Sequence, residues 1–190
     1  MDADDIIHES FLSALVPELN NDNTIAIVSC FSKFFLKNTK NIIHELKPVG
    51  TNYHAILFEN SLIATSLYRK KCWEEVGGYD ENMKKGFEDW EFWIAITKLG
   101  WTYKVVEEFL FYYRKQKQSM LIDTLENHRV SNMEYVLKKH RDLYLKHHDR
   151  TIDYLLYLSK KNENTVLKLK KSTPYKIAKL LMKPFNLFKK

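Results

Sequence analysis

Apolar positions along the chain change their period several times, and each change marks an element. From Ile6 to Leu19 the apolar residues Ile7, Phe11, Leu12, Leu15 and Leu19 recur at the spacing of one helix face. Pro17 is expected to bend that helix or end it early. Thr24 to Phe31 is a short β-rich run and predicts a buried strand. Residues 32–54 are polar and mixed, with Pro48-Val49-Gly50 as a loop signal. Ala55 to Leu67 is apolar again, and its period fits a helix or a strand equally. Lys70 to Val76 predicts a short helix closed by Gly77-Gly78. Glu88 to Leu99 predicts a better one. Acids at its start suit the helix dipole, Trp90, Trp93, Ile94 and Ile96 are apolar, and Gly100 stops it. Two strands follow, Thr102 to Val106 and Phe109 to Tyr113, then a helical, tyrosine-rich stretch from Leu121 to about Ser159. Pro174 to Lys190 predicts a basic amphipathic helix. Lys176, Lys179 and Lys183 fall on one side and Ile177, Ala178, Leu181 and Met182 on the other, with Phe185 and Phe188 extending the apolar set.

Composition narrows the class. A chain of 190 residues suits one domain with an appendage, and 45% hydrophobic with 14% aromatic residues is ample for a packed core. Five glycines and four prolines are too few for a sandwich or barrel of many tight turns. The net charge of +6 is unevenly held: residues 160–190 carry ten Lys against Glu163, a local +9, leaving the other 159 residues at −3. The folded part is therefore mildly acidic, which argues against nucleic acid as a partner. Cys30 and Cys72 form no metal or disulfide pattern; they read as buried apolar fillers in a reducing cytosol. No run of 18 apolar residues predicts a membrane span, and the acidic N-terminus is unlike a secretory signal.

The candidate chemistry is acidic. Asp2-Ala3-Asp4-Asp5 is an Asp-x-Asp set, whose hard carboxylate oxygens suit Mg²⁺ or Mn²⁺ and, through the ion, a diphosphate. Glu88-Asp89 forms a second cluster. Transfer of a sugar from a nucleoside diphosphate needs charge stabilisation at the leaving group and a carboxylate to take the acceptor's proton. Two separated acidic clusters in an α/β chain fit that division; solvated surface charge is the alternative.

The order of these segments resembles family 2 glycosyltransferases of the GT-A type. Asp2-Ala3-Asp4-Asp5 is followed by His8-Glu9-Ser10-Phe11-Leu12. Later come Ser66-Leu67-Tyr68-Arg69 through Val76-Gly77-Gly78-Tyr79-Asp80-Glu81, Gly86-Phe87-Glu88-Asp89-Trp90-Glu91-Phe92-Trp93, and Tyr113-Arg114 with Ser119-Met120. The similarity covers Asp2 to about Ser119, roughly 60% of the chain. It implies an α/β fold: the C-terminal part of a GT-A domain, Rossmann-like, lacking its N-terminal nucleotide-binding half. That part is expected at 1–120, a helical extension at 121–172 and the basic tail at 173–190. The resemblance further implies Asp2 and Asp4 as ligands of Mn²⁺ or Mg²⁺, Asp5 and Arg114 beside them on the diphosphate side, and Asp89 as catalytic base with Glu88 as its neighbour. Gly77 and Gly78 would form a turn near the donor sugar. The implied partners are a nucleotide-sugar donor, a glycan or lipid-linked acceptor, and a separate chain that supplies the nucleotide-binding half. The implied setting is surface glycan or polysaccharide synthesis by inverting transfer. One departure stands out: relatives carry His after the Tyr-Arg pair, where this chain has Lys115-Gln116-Lys117-Gln118.

Other residues weigh less. His147, His148 and His140 lie in a Lys/Arg-rich helical stretch and read as exposed surface; His44 and His54 lack ligand spacing. Trp90, Trp93 and Trp101 read first as core, while Trp73 and Trp90 flank the motif and could stack on a sugar. The tail reads either as a solvated end or as a membrane-surface anchor, which would place a cytoplasmic protein on the inner face of a membrane. Two readings stand beside the enzyme: a non-catalytic remnant or accessory chain keeping the acceptor and metal half, and a basic peripheral membrane-binding module.

Overall fold

β2 (Ile25–Phe35) is the spine of the molecule, and its first six residues are all buried. The computed structural model describes residues 3–116 and 119–186, the last four of these as backbone. β2 is central because it pairs on both sides. β5 (Thr102–Arg114) runs parallel to it, from Ile25 opposite Thr102 to Phe35 opposite Arg114. On the other side β4 (Leu67–Tyr68) pairs with its first half and β3 (Ile42–Leu46) with its second, both antiparallel. β1 (Ile6–Ile7) adds antiparallel to the end of β5, giving the order β1-β5-β2-β3 with β4 beside β2. A strand enclosed on both edges reads as a continuous apolar run, which is why Ile25 to Cys30 was legible. The rest of β2 and the whole of β3 were not. Ser32 and Phe35 are buried but Lys33 and Phe34 only partly so, and β3 buries no residue, so neither stretch shows a clean alternation.

α1 (Phe11–Asn21) covers one face of this sheet, burying Phe11 and Leu15 with Ile25, Val28, Cys30, Ile63, Leu110 and Phe111. Pro17 neither ends the helix nor shortens it. A proline inside a helix costs about 3 kcal/mol, but each buried Leu or Phe contributes about 1.5–3 kcal/mol. Phe11 and Leu15, with Ala14 and Leu19 partly buried beside them, outweigh the lost bond. Ile6 and Ile7 belong to β1 rather than to the helix.

The two strands expected between Trp101 and Tyr113 are one. Val106 pairs with Cys30 and Phe109 with Phe31, so Glu107 and Glu108 form a bulge with both side chains exposed. Within Ala55 to Leu67 only the last turn of α2 (Tyr53–Ile56) is helical, and Leu67 enters β4. α3 (Lys70–Val76) and α4 (Glu88–Lys98) lie where the pattern placed them. A helical run follows: α5 (Met120–Asp123), a π turn (Thr124–His128), α6 (Arg129–Lys139) and α7 (Arg141–Lys146). α8 (His148–Lys171) and α9 (Thr173–Asn186) complete the described chain. The molecule divides into two units between Leu143 and Tyr144. Cys30 and Cys72 are free and fully buried, and burial pushes the Cys30 thiol up to about 11. Both act as small apolar side chains.

Candidate functional site

Glu88 and Asp89 occupy the first turn of α4, where backbone N–H groups lack helical partners and the dipole favours anions. The chain reaches that turn through two left-handed residues, Gly86 (φ 88°) and Phe87 (φ 68°). Gly86 has to be glycine, because a Cβ there would lie 2.4 Å from Thr124 Oγ1. The carbonyls of this turn are held from outside. Thr124 Oγ1 donates to Lys85 O at 2.9 Å, and Asn132 Nδ2 donates to Lys85 O at 2.7 Å and Gly86 O at 2.9 Å. The π turn and α6 thus clamp the strained approach to the acidic pair.

Asp89 is half-buried. Its Oδ2 accepts from Asn60 Nδ2 at 3.0 Å and its Oδ1 from the Trp90 N–H at 2.7 Å. Burial, then the charge of Glu88, pushes its carboxyl up to about 6, and those two hydrogen bonds reverse only part of the rise. A carboxylate titrating just below neutrality is ionised at pH 7 yet a competent proton acceptor. Tyr79 lies close enough to feel both acids: burial, a hydrogen bond with Tyr68 and the charges of Asp89 and Glu88 push its hydroxyl well above the ordinary phenol range. Its ring packs on Phe92 at 4.3 Å, while Tyr68 meets Phe92 edge-on at 5.1 Å.

The second acidic set sits at the carboxyl end of the parallel pair β2 and β5, the end at which open α/β sheets bind ligands. Pairing of β1 with β5 brings Asp4 and Asp5 to Arg114. The Arg114 N–H donates to Asp5 Oδ1 at 3.0 Å and its Nε to Asp4 O at 2.9 Å. Its Nη1 donates to Lys37 O at 2.9 Å and its guanidinium lies 4.6 Å over the Phe35 ring. Arg114 therefore pins the backbone under the acidic motif. Gln116 donates from Nε2 to Asp4 Oδ2 at 2.5 Å. Asp2 lies outside the described residues, as do Lys117 and Gln118. Asp4 offers the hard oxygens that Mg²⁺ or Mn²⁺ takes, and among the described residues no three His, Cys, Asp or Glu side chains gather into an ion site.

Gly77 closes α3 in the left-handed conformation (φ 79°), donating to Glu74 O, and the Gly78 N–H donates to Trp73 O at 2.8 Å. A Cβ on Gly78 would press on the Trp73 indole at 3.0 Å. Trp73 is 38% exposed and keeps a surface for a ligand, but Trp90 does not. Trp90 is 3% exposed and donates its Nε1 to Ile56 O at 2.6 Å, so it is core and offers no face to a sugar.

His140 departs from the surface position expected of it. It is 4% exposed rather than surface, and its Nε2 lies 2.9 Å from Glu91 Oε1, which is itself buried. Lys139 Nζ reaches Glu91 Oε1 at 2.8 Å and Asp80 Oδ2 at 2.7 Å, and Tyr135 donates to Asp80 Oδ2 at 2.8 Å. Burial raises Asp80 and Glu91, but bonds from Lys139 to both, from Asn82 and Tyr135 to Asp80 and from His140 to Glu91 more than reverse it. This network ties α6 to the loop after Gly78 and to the body of α4. Glu91 is 1% exposed, and a buried carboxylate needs a partner, which here comes from residues some 50 positions away.

No family model matches the chain. It is 24% identical over 145 residues to an uncharacterized glycosyltransferase of Methanocaldococcus jannaschii, across 74% of this chain and 49% of that protein. The likeness is to a glycosyltransferase. The chain spans about half the length of the relative it matches.

Proposed function

We propose that this chain carries the acceptor side of a family 2-type glycosyltransferase, moving a sugar from a nucleoside diphosphate to an acceptor hydroxyl with inversion. The observation that carries the reading is Asp89: a half-buried carboxylate on a helix N-terminus, raised to about 6, and fixed by Asn60 and a clamped turn. Asp89 takes the proton from the acceptor hydroxyl as that oxygen attacks the anomeric carbon and the nucleoside diphosphate leaves. Glu88 raises Asp89 through its charge. Asp2 and Asp4 would hold Mn²⁺ or Mg²⁺, which supplies positive charge to the departing diphosphate. Arg114 and Gln116 keep the Asp4 backbone and side chain in place.

The test joins calorimetry to turnover, with UDP- and GDP-sugars plus Mn²⁺. Release of the nucleoside diphosphate reports turnover. Asp89→Asn lowers release by about 10²–10⁴-fold and leaves donor binding unchanged, whereas Asp4→Asn weakens the Mn²⁺-dependent part of binding. Undiminished turnover in Asp89→Asn would overturn the base assignment.

A further inference from the structure

α9 has two unlike sides. At 100° per residue, Lys176 and Lys179 fall in one narrow sector, while Ile177, Leu180, Leu181 and Met182 spread over the remainder. Those four apolar side chains are 53%, 65%, 66% and 54% exposed, and Tyr175 is 37% exposed. A folded domain rarely leaves such a contiguous run open to water. Lysines crowd its approach as well: Lys168, Lys170 and Lys171 fill the last turn of α8, next to α9. Among the described residues none of these five lysines is ion-paired. No helix among the described residues is long and apolar enough to cross a membrane. Phe188 and the side chains of Lys183 and Phe185 lie outside the described residues.

We infer that α9 is an interfacial helix that lies in the headgroup layer of an anionic membrane, apolar side down, with Lys176 and Lys179 at the phosphate level. Charge selects the partner. The local excess of +9 over residues 160–190 is opposite in sign to the −3 of the rest of the chain. A neutral surface or a purely apolar protein groove would gain nothing from the lysines. The exposed Leu and Ile side chains decide against a simple polyanion such as nucleic acid, which has no apolar layer to receive them. The inference is independent of any catalytic role.

Co-sedimentation with vesicles tests it, using the full chain, a 1–172 truncation and two point-variant sets that touch only exposed residues. Binding to vesicles with one-third phosphatidylglycerol exceeds binding to pure phosphatidylcholine by more than tenfold, falls as salt rises, and disappears in 1–172. Lys176→Gln and Lys179→Gln each weaken it about fivefold. The pair Leu180→Ser with Leu181→Ser weakens it on the order of tenfold or more. Equal sedimentation of the full chain and 1–172 would overturn the inference. So would full retention by the Leu→Ser pair, since α9 would then be acting as a bare polycation able to bind nucleic acid equally well.

Discussion

Asp89 shows how one carboxyl can be tuned by where its backbone is placed. Burial and the neighbouring Glu88 raise it to about 6, from an ordinary value near 4. The sign of each pH effect follows. As a base it must be unprotonated, so kcat/KM rises through about pH 6 and levels off above it; a profile with an acid limb near pH 4 would contradict the tuning. Stability moves the other way. The folded state holds the proton more tightly than the unfolded chain, so stability declines between about pH 4 and pH 6 and then stays low on this account. Asp89→Asn removes a charge that is costly above pH 6 and little changed at pH 4.5. Thermal melts are therefore expected to show the variant more stable than wild type at pH 8 and similar at pH 4.5. Equal shifts at both pH values would mean that the amide acts through shape and not through charge.

At the scale of elements, α4 is positioned by helices that follow it by some 30 residues. Gly86 and Phe87 bend the chain through a left-handed conformation that a non-glycine residue adopts at a cost of about 1–2 kcal/mol. Thr124 and Asn132 hold that turn by its carbonyls. Thr124→Val keeps the shape and loses the hydroxyl, with an expected loss of about 1 kcal/mol. Thr124→Ser keeps the hydroxyl and is nearly neutral. Gly86→Ala costs more than Thr124→Val, since it adds backbone strain to a contact at 2.4 Å with Thr124. Urea unfolding of the three variants checks the order. If Gly86→Ala were as stable as wild type, the turn would not be held as the structure has it.

For the molecule as a whole, stability is uneven. Ile25 to Cys30 in β2 are buried without exception, whereas α8 has no buried residue along 24 positions. Hydrogen exchange followed by mass spectrometry is expected to protect β2 amides more than those of α8, on the order of a thousandfold or more; equal protection would show that α8 has partners in solution. The sequence by itself determined the elements whose burial is one-sided or complete, because period and composition then report the environment. The first half of β2, α3 with its Gly77 cap and α4 were legible for that reason, and α9 for its amphipathic period alone. It also displayed both acidic sets and the glycines around them. Only the tertiary structure decided what those residues meet. It joined Thr102–Val106 and Phe109–Tyr113 into one bulged strand, because β2 pairs across both, and carried α1 past Pro17. It buried Trp90, made His140 and Lys139 partners of Glu91, brought Arg114 and Gln116 to Asp4, and placed Asn60 on Asp89. Each of these is a contact between residues tens of positions apart, set by which surfaces pack together, and a local period carries no record of such a partner.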